Sequence, residues 1–189
     1  KLELIVIDDE MKADKGAAAF EKLITVDKVD MLIGGMASGV ALGQIPVLKK
    51  YNKVYLATGA ASFKVEEALG ADANWYFHLH PWDYNQGASY AEGWAAIQDK
   101  YPNIKIKKLF LAYEEGAFGK ASYDATKVLF GADSRYVIDG SPFKSAAMGG
   151  GDYGAVLKAA KAFKPDLFLW AGWEADALPL LEQSKAMKF

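Results

Sequence analysis

Short apolar runs alternate along the chain with longer stretches in which apolar residues return every three to four positions. The runs Leu2 to Ile7, Val29 to Ile33, Val54 to Ala57, Leu109 to Tyr113, Tyr136 to Ile138 and Leu167 to Trp170 predict strands. Between them, Phe20, Leu23 and Ile24 predict a helix over 16–26. Ala41, Ile45, Leu48 and Tyr51 predict another from Ser38, which Pro46 should kink or restart. Tyr90, Trp94, Ile97 and Tyr101 predict a third with these residues in the core, opened by a capping box of Asp83 and Gln86. A helix to Leu129 follows, with Gly131 as its C-cap. Another begins at Asp152 and turns Tyr153, Val156, Leu157 and Ala160 inward until Lys164-Pro165-Asp166 stops it. A last helix carries Leu178 and Leu181. Regular alternation of strand and helix means parallel sheet with crossover helices, an α/β fold.

Two strand ends invite a ligand. Met31-Leu32-Ile33-Gly34-Gly35-Met36-Ala37-Ser38 reads as strand, glycine turn and helix start. Glycines let backbone approach a guest, and a helix N-terminus with a hydroxyl suits a carboxylate or phosphate. The plainer reading makes Ser38 an N-cap. A Walker A loop fails, because Val40 and Ala41 follow Gly39 where Lys and Ser or Thr are needed. A dinucleotide fingerprint fails at Met36. Val54 to Ser62 repeats the pattern with Thr58-Gly59-Ala60-Ala61-Ser62. In one parallel sheet, Ser38 and Ser62 should face the same crevice; otherwise the second turn simply needs small residues.

Trp75 to Asp83 is aromatic and holds both histidines, His78 and His80, on one face of an extended segment. Without cysteine or clustered carboxylates nearby they make a poor zinc site, and polar contacts at a crossover between lobes are the better reading. Asp8-Asp9-Glu10 reads as a solvated turn, since a phospho-acceptor pocket needs an Asp ending a later strand. Net charge is −2, and scattered lysines with one arginine form no basic stripe for nucleic acid. No apolar run reaches the roughly 20 residues of a membrane span. The chain has no cysteine, so disulfides and thiolate metal sites are excluded. No signal peptide precedes the first apolar run, which is expected of a mature or trimmed chain.

Gly34-Gly35-Met36-Ala37-Ser38, Thr58-Gly59-Ala60-Ala61-Ser62, Asp83 with Gln86-Gly87, Phe118-Gly119, Lys164-Pro165-Asp166 and Gly172-Trp173 occur in an order and spacing that resemble the leucine/isoleucine/valine-binding type of extracytoplasmic solute-binding protein, the receptor of an ABC importer. The resemblance covers nearly the whole chain. It implies the type I periplasmic binding fold, two doubly wound parallel-sheet lobes, with part of the N-terminal lobe over 1–80 and part of the C-terminal lobe over 81–189. It also implies a small carboxylate ligand, such as a branched-chain or aromatic amino acid, delivered to importer membrane subunits. Ser38, Ala60 and Ser62 would meet the carboxylate. Phe118 and Trp173, where relatives often carry tyrosine, would close over it, and His80 would lie at the site. No cofactor, metal or catalytic residue is expected. The implied protein is a periplasmic or extracellular monomer, with a signal peptide in its precursor and lipid anchoring as one form.

Proteins of this type begin with one further strand and helix and continue beyond the last helix seen here, so the fold is expected to be incomplete at both ends. Leu2 to Ile7 would then lack a neighbour, and the acidic partner for a ligand ammonium would lie outside the sequence. Phe118 and Trp173 enlarge the aromatic wall and remove hydroxyls, which favours a bulky or aromatic carboxylate. The same lobes also serve as sensing domains of regulators and receptors. An enzyme would need Ser38, His80 and Asp83 as a triad, and no nucleophile elbow surrounds any serine.

Overall fold

The computed structural model describes residues 2–189, and the chain divides into two compact units, one running to Trp82 and the other spanning Asp83–Phe189. In the first, strands β1 (Leu32–Gly34), β2 (Tyr55–Ala57) and β3 (Tyr76–His78) form a parallel sheet in the order β1-β2-β3. Leu32 pairs with Tyr55, and Tyr55 with Tyr76. Helices α1 (Ala13–Thr25), α2 (Ser38–Tyr51) and α3 (Phe63–Leu69) supply the packing. Phe20 and Leu23 of α1 meet Ala41, Ile45 and Leu48 of α2 over Leu32, Tyr55 and Ala57 in one core.

Leu2 to Ile7 is not a strand. It has no regular secondary structure, and Leu2, Leu4 and Val6 are exposed while Ile7 packs against the core. A strand exists only through the backbone groups of a neighbour, and none among the described residues pairs with this segment. Pro46 neither restarts nor ends α2, which continues to Tyr51. The proline faces solvent, and buried Ile45 and Leu48 on the opposite side hold the helix together. Asn52 ends it in the left-handed region, φ 49°.

The second unit carries α4 (Asp83–Lys100), β4 (Lys108–Glu114), α5 (Ala117–Gly131), β5 (Val137–Phe143), α6 (Gly154–Phe163), β6 (Leu167–Ala171) and α7 (Glu174–Ala186), with a short 3-10 turn at Ala146–Met148. Its sheet is parallel, ordered β5-β4-β6. Central β4 is buried from Leu109 to Glu114, as a strand covered on both faces must be. Pro142 sits on β5, an edge strand, where a missing N–H is tolerated. Phe110, Phe143, Tyr153, Val156, Leu157 and Leu180 form one core, and Leu109, Phe130 and Tyr136 another.

Three expectations fail in this unit. Tyr90, Ile97 and Tyr101 are exposed, Tyr90 by 63%, and α4 buries only Asp83 and Gly87. The apolar stripe of α4 instead borders a concavity of about 630 Å³ with β6, which no strand pairs on its outer side among the described residues. Leu178 and Leu181 of α7 are each 65% exposed, whereas Leu180 and Asp176 point inward. Gly131 is the last residue of α5, and its C-cap is Ala132 in helical conformation.

Candidate functional site

In the first unit the sheet ladder continues past the strand ends. Thr58 N donates to the Gly34 carbonyl and Ala60 N to that of Met36, both at 2.9 Å, so the two small-residue turns are tied side by side. Gly35 adopts φ +83°, and a side chain there would overlap the Tyr55 hydroxyl. Gly59 lies against Met36, whose Cα would stand 3.0 Å from an added Cβ. Ala60 is held at φ +62°, a strained choice for a residue with a side chain.

Ser38 is the first residue of α2, not its N-cap; Ala37 takes that place without a side-chain bond. The Ser38 hydroxyl, 1% exposed, accepts from the Ser62 amide at 3.2 Å. Ser62 caps α3, its hydroxyl accepting from Lys64 N at 3.4 Å. Ser38, Ala60 and Ser62 therefore gather at one end of the sheet. Because its oxygen accepts, the Ser38 hydroxyl keeps its own proton to donate.

His78 contacts this cradle. His78 Nε2 donates to the Gly59 carbonyl at 2.6 Å, and its ring stacks on Trp82 with centroids 3.7 Å apart. Burial, the largest influence, holds its pKa below the ordinary histidine value against the opposing pull of the Gly59 bond. His80 makes a local contact of Nδ1 with the Pro81 carbonyl. No group of three histidines, cysteines or carboxylates among the described residues could hold a metal. Beneath the turns, the Tyr55 and Tyr76 rings pack edge to face at 5.2 Å. Burial raises both phenols, Tyr76 to about 12, so neither ionises in ordinary conditions.

In the second unit Phe118, in the first turn of α5, meets Trp173, the N-cap residue of α7, with ring centroids 5.4 Å apart. The Trp173 indole Nε1 is buried without a hydrogen-bond partner among the described residues, a donor that a ligand acceptor could satisfy. Two carboxylates behind this pair escaped the sequence reading. Glu114 accepts from Gly116 N at 2.6 Å and Gly119 N at 2.7 Å. Asp176 accepts from Trp173 N at 2.7 Å, Ala146 N at 2.8 Å, the Tyr153 hydroxyl at 2.7 Å and the Ser145 hydroxyl at 2.9 Å. Desolvation raises the Asp176 pKa, but these bonds outweigh it and hold the carboxyl below its usual range. The available signals were glycines two and five residues after Glu114, and an acid three residues after the N-cap Trp173, hidden because tryptophan is no capping residue.

Two parallel α/β units of this build define the type I periplasmic binding protein fold. The chain belongs to the periplasmic binding protein family, whose model matches residues 1–188. A leucine-binding protein LivK from Thermotoga maritima superposes with a TM-score of 0.83 at 20% identity, over 99% of this chain and 50% of that one. A solute-binding protein of an ABC transporter from R. palustris in complex with benzoate gives 0.76 at 23% identity, over 96% and 47%. Another from Rhodopseudomonas palustris BisB5, in complex with 3,4-dihydroxybenzoic acid, gives 0.79 at 21%, over 100% and 48%. The chain spans about half the length of these solved structures.

Proposed function

We propose that this chain is part of an extracytoplasmic receptor that binds a small carboxylate, aromatic in preference to aliphatic, and delivers it to an ABC importer. The observation that carries the reading is the Ser38–Ser62 link, which turns two strand ends into one cradle of amides and hydroxyls. Such a cradle offers donors to an anion. The Phe118–Trp173 pair supports the aromatic preference, since ring faces bury flat apolar surface. Relatives of the same fold crystallised with benzoate and 3,4-dihydroxybenzoic acid add to that support.

Calorimetric titration of the protein at its natural length with benzoate, hydroxybenzoates and leucine tests the proposal. Saturable binding of aromatic acids without turnover is the expected result. A preference for small polar amino acids would overturn the aromatic reading. Ser38→Ala should weaken binding by about 1 to 3 kcal/mol, the worth of a buried hydrogen bond to a charged group. An S38A protein with wild-type affinity would remove Ser38 from the site.

A further inference from the structure

Phe118 and Trp173 stand on turns, and each turn is fastened from behind by a buried acid. Glu114 ends β4, is 1% exposed, and spends both carboxylate oxygens on N–H groups of the turn that carries Phe118: Gly116 before it and Gly119 after it. The fit is close, because an added Cβ at Gly119 would lie 2.6 Å from the Glu114 amide nitrogen. Glu114 thus does the work of an N-cap for α5, whose own N-cap residue, Gly116, has no side chain to offer.

Asp176 is fully buried and plays the matching part for Trp173. Its Oδ2 accepts the Trp173 amide, while its other contacts gather the turn at Ser145 and Ala146 and the phenol of Tyr153 at the start of α6. Three separate segments therefore converge on one carboxylate. Gly172, just before Trp173, has room for no side chain, since an added Cβ would lie 2.7 Å from Asp176 Oδ2 and 2.8 Å from Phe143 and Trp170.

We propose that Glu114 and Asp176 are positioning residues that hold Phe118 and Trp173 in register as a rigid aromatic wall, and that they thereby set selectivity for flat aromatic acids. The selectivity half rests on the reading of these two rings as ligand-facing. The physical ground is preorganisation: a ring fixed before the ligand arrives loses little freedom on contact, whereas a ring on a loose turn must be ordered at the expense of affinity. An aromatic acid that stacks on the wall depends on that order more than leucine does.

The test uses the protein at its natural length, labelled with 15N, and follows its tryptophan indole resonances. The Trp173 peak is the one lost in W173F. In D176N, and through the Phe118 contact in E114Q, this peak should shift or broaden while those of Trp75 and Trp82 in the other unit stay in place. Benzoate affinity should fall about tenfold, with leucine affinity falling less. Should D176N fail to fold, S145A and Y153F each remove one donor and keep the carboxylate, and both should move the Trp173 peak in the same direction by less. A Trp173 peak unmoved in the folded variants would overturn the proposal. So would a moved peak with an unchanged benzoate-to-leucine affinity ratio. A wild-type protein that binds none of the acids would refute the functional reading and with it the selectivity role, leaving the resonance to decide the positioning role alone.

Discussion

The bond from His78 to the Gly59 carbonyl makes one side chain responsible for the posture of a turn whose next residue, Ala60, is in the left-handed region. Burial of that imidazole also makes the stability of this unit sensitive to acid. Burial, with a smaller contribution from nearby His80, favours neutral His78, while the Gly59 bond and Glu66 act the other way without prevailing. An unfolded histidine takes up its proton near pH 6.5, above the folded value. The stabilising effect is therefore complete above about pH 6.5 and is lost as pH falls below it. The thermal midpoint of wild type should drop between pH 6.5 and 5. His78→Gln keeps a donor and cannot titrate, so its midpoint should fall less over the same interval in a melting series. Asp176 has the opposite chemistry and a different window. Its depressed pKa contributes stability at and above the ordinary carboxylate range that is lost only as pH falls through the folded value. Acid unfolding of wild type below pH 4 should accordingly flatten in D176N.

Helices in this protein earn their place through one face, and the two best contrasted are α2 and α7. Leu48 of α2 is fully buried among residues of α1 and the sheet. Leu48→Ala should cost about 2 to 5 kcal/mol, the loss of transfer energy plus the cavity left behind. Leu178 and Leu181 of α7 look equally apolar in sequence, yet each is largely in solvent. Their alanine variants should stay within about 0.5 kcal/mol of wild type. Urea denaturation of the three variants separates the cases, and a large loss from L178A or L181A would show that another surface covers that face of α7. On α4 the same principle applies in reverse. Its aromatic stripe has the spacing of a core helix but lines a concavity with β6.

At the scale of the whole molecule, each unit has its own sheet, with one buried core in the first unit and two in the second. A ligand that binds only the folded state raises the apparent stability by mass action, about 2.7 kcal/mol at a hundredfold excess over Kd. Benzoate should therefore raise the melting temperature in a concentration-dependent way, and S38A should displace that curve to higher ligand concentration. A melting temperature indifferent to every aromatic acid would count against the proposed cargo.

What the sequence determined by itself is whatever local chemistry decides. The alternation of strand and helix, the parallel character of both sheets, the glycine turns at 34–35 and 59, and the proximity of Ser38 to Ser62 all follow from periodicity and turn chemistry. Only the tertiary structure decided the rest, because those features depend on what lies opposite. Leu2 to Ile7 has strand composition but no pairing strand among the described residues. Which leucine of α7 turns inward is settled by the core beneath it, and Leu180 is the one that meets it. Glu114 and Asp176 look like ordinary surface acids in a sequence. Their burial is possible because backbone amides and hydroxyls, as many as 31 residues away in the case of Ser145, arrive to replace the water they lose.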